Sequence, residues 1–200
     1  QGIATAVGLA LAERILDARY DDSIVDHYTY IMAGDGDMME GISHEACSLA
    51  GHQKLSKIIM LYDDNGISID GKTDLTFIDN TPLRFEAYGW DVQTVDGHNF
   101  DEIEAAIAKA KTTDTPSLIC CKTKIGFGAP TKEGSSSSHG APLGEDEIKG
   151  ARENLGWPHA PFVIPDDVLS NWRAVGEKGS QEQKDWSARL ASHDMKDCFG

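Results

Sequence analysis

Gly34-Asp35-Gly36 closes one apolar run, Tyr28 to Ala33, and Asp64-Asn65 closes the next, Ile58 to Tyr62. If both runs are strands of a parallel sheet, their ends meet at one rim and each delivers an oxygen ligand. A carboxylate and an amide placed like this can hold a hard divalent cation such as magnesium against a phosphate group. The glycines permit a tight turn and close approach of the phosphate. The following helix is expected to add N–H donors and the positive end of its dipole. Beyond Asn65, the Ile67 carbonyl can complete one face of an octahedron, with phosphate oxygens and water on the other positions. The plain alternatives are an ordinary βα turn with an acidic cap and a polar loop over Asp63 to Gly71. A calcium EF-hand loop is excluded, because setting Gly66 at its glycine puts Leu61 and Lys72 at the terminal ligand positions.

Charge asks for the same cation. The chain has 33 acidic and 18 basic residues, a net charge of −15. Such a surface repels nucleic acid and anionic membrane, so neither is expected as a partner. Between Gly34 and Asn65 only Lys54 and Lys57 are cationic, against Asp35, Asp37, Glu40, Glu45, Asp63 and Asp64. A diphosphate bound here needs a metal ion to reverse the local sign.

The elements that must position these groups alternate along the chain. Ile3, Val7, Ala10, Leu11 and Ile15 share a helical face, giving a helix over 3–19. A strand over 28–33 follows. Met39, Ile42, Ala46, Leu49 and Ala50 then predict one helix ending near Gly51, with a strand over 58–62 after it. Thr81-Pro82 suits an N-cap and first helical position. A strand over 91–95, a helix capped by Asn99 or Asp101, and a strand over 117–122 complete the pattern. Repeated βαβ units imply an α/β domain, a parallel sheet with helices on both faces. Residues 126–140 read as a long glycine- and serine-rich loop at the strand rim, where such loops are usually functional. Residues 1–156 are expected to form the domain. Residues 157–200 are expected to be a proline-containing linker and the start of a connection onward, with a polar helix after Asp166.

His139 lies in that loop beside Gly140, and imidazole titrates near neutral pH, so it could donate a proton or hydrogen bond to a reacting oxygen. Other histidines read as surface, cap or packing residues. Cys47, Cys120, Cys121 and Cys198 have no CxxC spacing and read as reduced thiols of a cytoplasmic protein, with an organelle left open. No stretch resembles a signal peptide or a membrane span. The chain starts at Gln1 and reads as a piece of something longer.

GDG followed about thirty residues later by an asparagine is the signature of thiamine diphosphate enzymes. The surrounding words GDGDMMEGISHEACSLAG, YDDNGISIDG, RFEAYGW, KTKIGFGAP and SHGAPLG closely resemble transketolase, from Gln1 to about Trp172. The resemblance implies a thiamine diphosphate-binding fold and its diphosphate-binding domain. Its cofactors would be thiamine diphosphate and magnesium, with calcium or manganese able to substitute. It implies Asp35, Asn65 and the Ile67 carbonyl as metal ligands, and Gly36 and Asn65 as diphosphate contacts. Ile69 would be an apolar contact near the cofactor, and His139 would touch both diphosphate and substrate. Glu40 and Glu45, by default a solvated helix face, match glutamates on a proton path at the dimer contact. The parent enzyme would be a homodimer moving a two-carbon ketol unit between sugar phosphates in the pentose phosphate pathway. Each of its sites would be shared with the pyrimidine-binding domain of the partner subunit, so this chain alone is expected to be inactive. Asp37 departs from the family's usual small or sulfur-bearing residue, without consequence for the site. Alternatives of the same architecture are dihydroxyacetone synthase and deoxyxylulose-phosphate synthase. A non-catalytic dimerisation subunit is a further alternative.

Overall fold

The structure is a computed structural model and describes residues 1–199, so Gly200, the last residue of the expected 157–200 segment, lies outside the described residues. Four strands, β1 (Thr29–Gly34), β2 (Ile58–Asp64), β5 (Asp91–Asp96) and β6 (Ser117–Lys122), form one parallel sheet in the order β1-β2-β6-β5. The central strands β2 and β6 are buried on both faces, which explains why they read as continuous apolar runs. Between β2 and β5 a small antiparallel hairpin, β3 (Ile67–Ser68) and β4 (Gly71–Lys72), stands apart from the main sheet.

Helices cover both faces, as expected. On one, α1 (Gly2–Tyr20), α3 (Gly41–His52) and α4 (Thr81–Ala87) pack Ile3, Val7, Cys47, Ala50 and Phe85 against Ile31, Met60, Tyr62 and Leu118. On the other, α5 (Phe100–Ala110) brings Ala106 and Ala110 onto Ile59, Ile119 and Cys121. Asn99 caps α5 as expected, its side chain accepting from the Asp101 and Glu102 amides. After β6 come the long loop, α6 (Glu145–Asn154) and α7 (Asp166–Ser192). The end of α7 returns to the domain. Trp186 Nε1 donates to the Ile24 carbonyl at 2.8 Å, and Leu190, Met195 and Phe199 pack around Tyr20, Ile24 and Val25.

Two local expectations are corrected, and one helix face is specified. The single helix expected to end near Gly51 is two, because Glu40 adopts an extended conformation (φ −67°, ψ 133°) between α2 (Asp35–Met39) and α3. On α3 the buried side is Ser43, Cys47, Ala50 and Gly51, while Ile42 and Leu49 are exposed. A close approach selects that small-residue side: a Cβ on Gly51 would sit 1.9 Å from the Tyr88 carbonyl oxygen. Finally, Asn80 rather than Thr81 caps α4, its side-chain oxygen accepting from the Leu83 amide. Asparagine supplies a longer acceptor arm than threonine, and Pro82 then falls one position further into the helix.

Candidate functional site

Register puts the two expected ligand segments side by side, because Gly34 of β1 pairs with Asp63 of β2. Asp35 follows immediately as the first residue of α2, only 5% exposed. Its Oδ1 accepts from the Tyr62 hydroxyl at 2.6 Å, and its Oδ2 accepts from the Gly66 amide at 3.0 Å. Asn65 is held in turn: its Oδ1 accepts from the Ile67 amide at 2.9 Å and its Nδ2 donates to Asp63 Oδ2 at 3.2 Å. An amide oxygen has two lone pairs, so this turn leaves Asn65 one acceptor direction for a ligand. Asp63 is itself fixed by the Thr123 hydroxyl, and Asp64 by Lys122.

These groups open onto a cleft of about 460 Å³ that gathers Asp35, Gly36, Glu40, Asn65, Ile67 and His139. Its charge is one-sided. Asp35, Asp37, Glu40 and Asp63 contribute to the lining, and among the described residues no lysine or arginine does. Ile69 is not in this lining; it stands on the turn between β3 and β4, 74% exposed. Glu45 is exposed on α3, also outside it. The helix dipole expected to assist is small, since α2 has only five residues before Glu40 breaks it. Asp37 has a local task, accepting the Gly34 amide at 2.9 Å and so closing the turn.

The donor set fits a cation. A buried carboxylate is costly unless it is paired or bound to metal. Among the described residues Asp35 has no cationic side chain within ion-pair distance, only neutral donors. No group of three or more His, Cys, Asp or Glu side chains converges as a metal cage among the described residues. The expected set of carboxylate, amide and backbone carbonyl is of a different kind and leaves positions for phosphate oxygens. Gly36 belongs to the cleft lining, and a Cβ there would meet no atom within 4 Å.

Two supports were not read from the sequence. Tyr62 is 3% exposed; burial, then its bond to Asp35, holds the phenol well above its ordinary range, so it remains a proton donor. Period-2 alternation after the buried Met60 could have placed Tyr62 inside, where a phenol needs a partner. His98 stacks on Phe127 with ring centroids 3.8 Å apart, and its Nε2 accepts the Lys124 amide at 3.0 Å. It thereby pins the start of the loop that carries His139. His139 itself ends a short 3-10 turn, Ser136–Ser138, with its side chain exposed at the cleft.

Residues 1–199 match the family model described as "Transketolase, thiamine diphosphate binding domain". Transketolase 1 of Vibrio cholerae is 56% identical over 198 residues, a match covering 96% of this chain and 30% of that protein. The crystal structure of transketolase from Campylobacter jejuni superposes with a TM-score of 0.95 at 43% identity, covering 99% of this chain and 32% of that one. The transketolase of Pichia stipitis, solved in complex with sedoheptulose 7-phosphate, gives 0.92 at 39% identity, covering 98% and 30%. The chain thus spans about 30% of the length of the curated relatives it matches. With the rim geometry, the acidic cleft and the whole-length match in agreement, the chain belongs to the transketolase family, within its thiamine diphosphate binding domain.

Proposed function

We propose that this chain supplies the diphosphate-and-cation half of a transketolase active site. Asp35, Asn65 and the Ile67 carbonyl hold magnesium, or calcium or manganese in its place. Gly36 and Asn65 meet the diphosphate of thiamine diphosphate, and Ile69 contributes an apolar contact near it. One observation carries the reading: a carboxylate buried at the strand rim with neutral donors only, in an acidic cleft. When bound, thiamine diphosphate supplies the carbon nucleophile and electron sink for breaking and remaking the bond beside a ketose carbonyl.

The chain's own residues bind, orient and move protons around that chemistry. His139 hydrogen-bonds the diphosphate and the reacting end of the substrate from the cleft wall. Glu40, in the cleft lining, and Glu45, exposed on α3, belong to a proton path at the contact between subunits of a homodimer. The pyrimidine-binding domain of the partner subunit completes the site. The parent enzyme transfers a two-carbon ketol unit from a ketose phosphate to an aldose phosphate in the pentose phosphate pathway. The sugar-phosphate complex of the Pichia relative supports this substrate class. Free buried thiols at Cys47, Cys120 and Cys121 suit a reducing compartment, the cytoplasm. The cofactor-binding part lies within residues 1–156, and the segment after it, whose end packs back on Tyr20, Ile24 and Val25, begins the connection to the pyrimidine-binding domain.

Calorimetry of thiamine diphosphate added to the chain, with magnesium and then with a chelator, tests the assignment. Binding should require the metal; metal-independent binding would overturn it. The isolated chain should show no ketol transfer between sugar phosphates.

A further inference from the structure

The phenol of Tyr62 reaches Asp35 because its neighbours are small. In register it lies between Ala33 of β1 and Cys120 of β6, so the ring has room to run toward the rim. Its hydroxyl and the Gly66 amide bind one oxygen each of the same carboxylate, at 2.6 and 3.0 Å. Two donors on separate oxygens fix both the tilt and the rotation of a carboxylate, which one donor cannot do. Phenylalanine would fill the same core volume equally well, so packing alone does not call for the hydroxyl. Ligand orientation does: groups bonded to a metal ligand set its direction, and their loss typically weakens metal binding by about 10–100-fold.

We propose that Tyr62 is a positioning residue for the cation, its buried hydroxyl aiming the Asp35 carboxylate at the metal–diphosphate in the cleft. This role presupposes the cation proposed for Asp35. Tyr62 is not part of the cleft lining, and among the described residues no cleft-lining side chain bonds Asp35 in its place. Tyr62 acts through Asp35 and never touches the diphosphate.

The test is a double-mutant cycle on the full chain: wild type, Tyr62→Phe, Asp35→Asn and the double variant, each titrated with thiamine diphosphate in magnesium and in chelator. Tyr62→Phe should weaken magnesium-dependent binding roughly tenfold and leave the chelator titration unchanged. The double variant should bind no worse than Asp35→Asn alone, because both changes remove the same interaction. With manganese as the probe, the paramagnetic resonance spectrum of the bound ion should broaden in Tyr62→Phe. Independent, additive losses, or an affinity equal to wild type, would overturn the role of Tyr62. Wild-type binding that ignores magnesium would instead overturn the cation at Asp35, and Tyr62's role with it.

Discussion

Glu13 and Asp35 are buried almost equally, 4% and 5% exposed, yet their surroundings differ in kind. Glu13, on α1, has the Lys57 ammonium at 2.5 Å, shared with Asp26 at 2.9 Å. Burial alone would pull Lys57 down, but Glu13 and Asp26 outweigh it and its ammonium titrates above the ordinary range. That charge is neutralised within the chain. Asp35 has a phenol and a peptide N–H, both neutral, and it faces an acidic cleft. One carboxylate is complete as folded; the other is oriented and uncompensated. The contrast separates a structural acid from the acid proposed to hold a ligand more sharply than burial could.

Breaking each pairing should have opposite signatures. Lys57→Met leaves Glu13 buried without its closest cation, and should lower stability by about 3 kcal/mol in denaturant unfolding, with cofactor affinity unchanged in the surviving folded fraction. Asp35→Asn should do the reverse. Magnesium-dependent affinity for thiamine diphosphate should fall about a hundredfold, about 2.7 kcal/mol, while the unfolding midpoint holds or rises because an uncompensated buried charge is gone. A stability loss in Asp35→Asn matching that of Lys57→Met would erase the distinction. Gly36→Ala refines it: the added methyl meets no atom of the chain within 4 Å, so stability should hold. Its cost should appear only in diphosphate binding, a roughly tenfold weakening at about 1.4 kcal/mol per decade.

The smallest expected effect lies in the loop that carries His139. Glu133 is held below its ordinary value of 4.5, first by the Gly128 amide and then by Lys124. Glu147 is held down likewise by the Thr131 hydroxyl and amide. A depressed folded value means that these ties contribute fully above the unfolded value and are lost as pH falls through the folded one. Amide hydrogen exchange at Gly128 and Thr131 should therefore accelerate as pH drops below about 4.5, after correction for intrinsic exchange rates. Protection unchanged by acid would show that other contacts hold the loop.

Strands were legible wherever burial on both faces wrote a continuous apolar run, as in β2 and β6, and their ends named the rim. That Asp35 and Asn65 meet at one cleft was legible because turn glycines and polar residues end those runs, and that His139 joins them was legible from its glycine- and serine-rich loop and the family resemblance. The break at Glu40 was not: Met39 and Ile42 keep helical spacing across it, and hydrophobic period carries no mark of one extended residue. The buried side of α3 was not legible, because close approach to Tyr88 and Trp90 favours small residues, which a search for large apolar ones passes over. The bond from Tyr62 to Asp35 depends on strand register, a long-range fact that neither residue announces locally.

Asp35 also borders a second hollow of about 410 Å³, shared with Phe77, Thr81 and Lys122. The same carboxylate therefore contributes to the lining of both spaces, and its charge acts on an anion entering either. Screening that charge from either chamber lowers the barrier in the other, so the two spaces are electrically joined without any movement of the backbone.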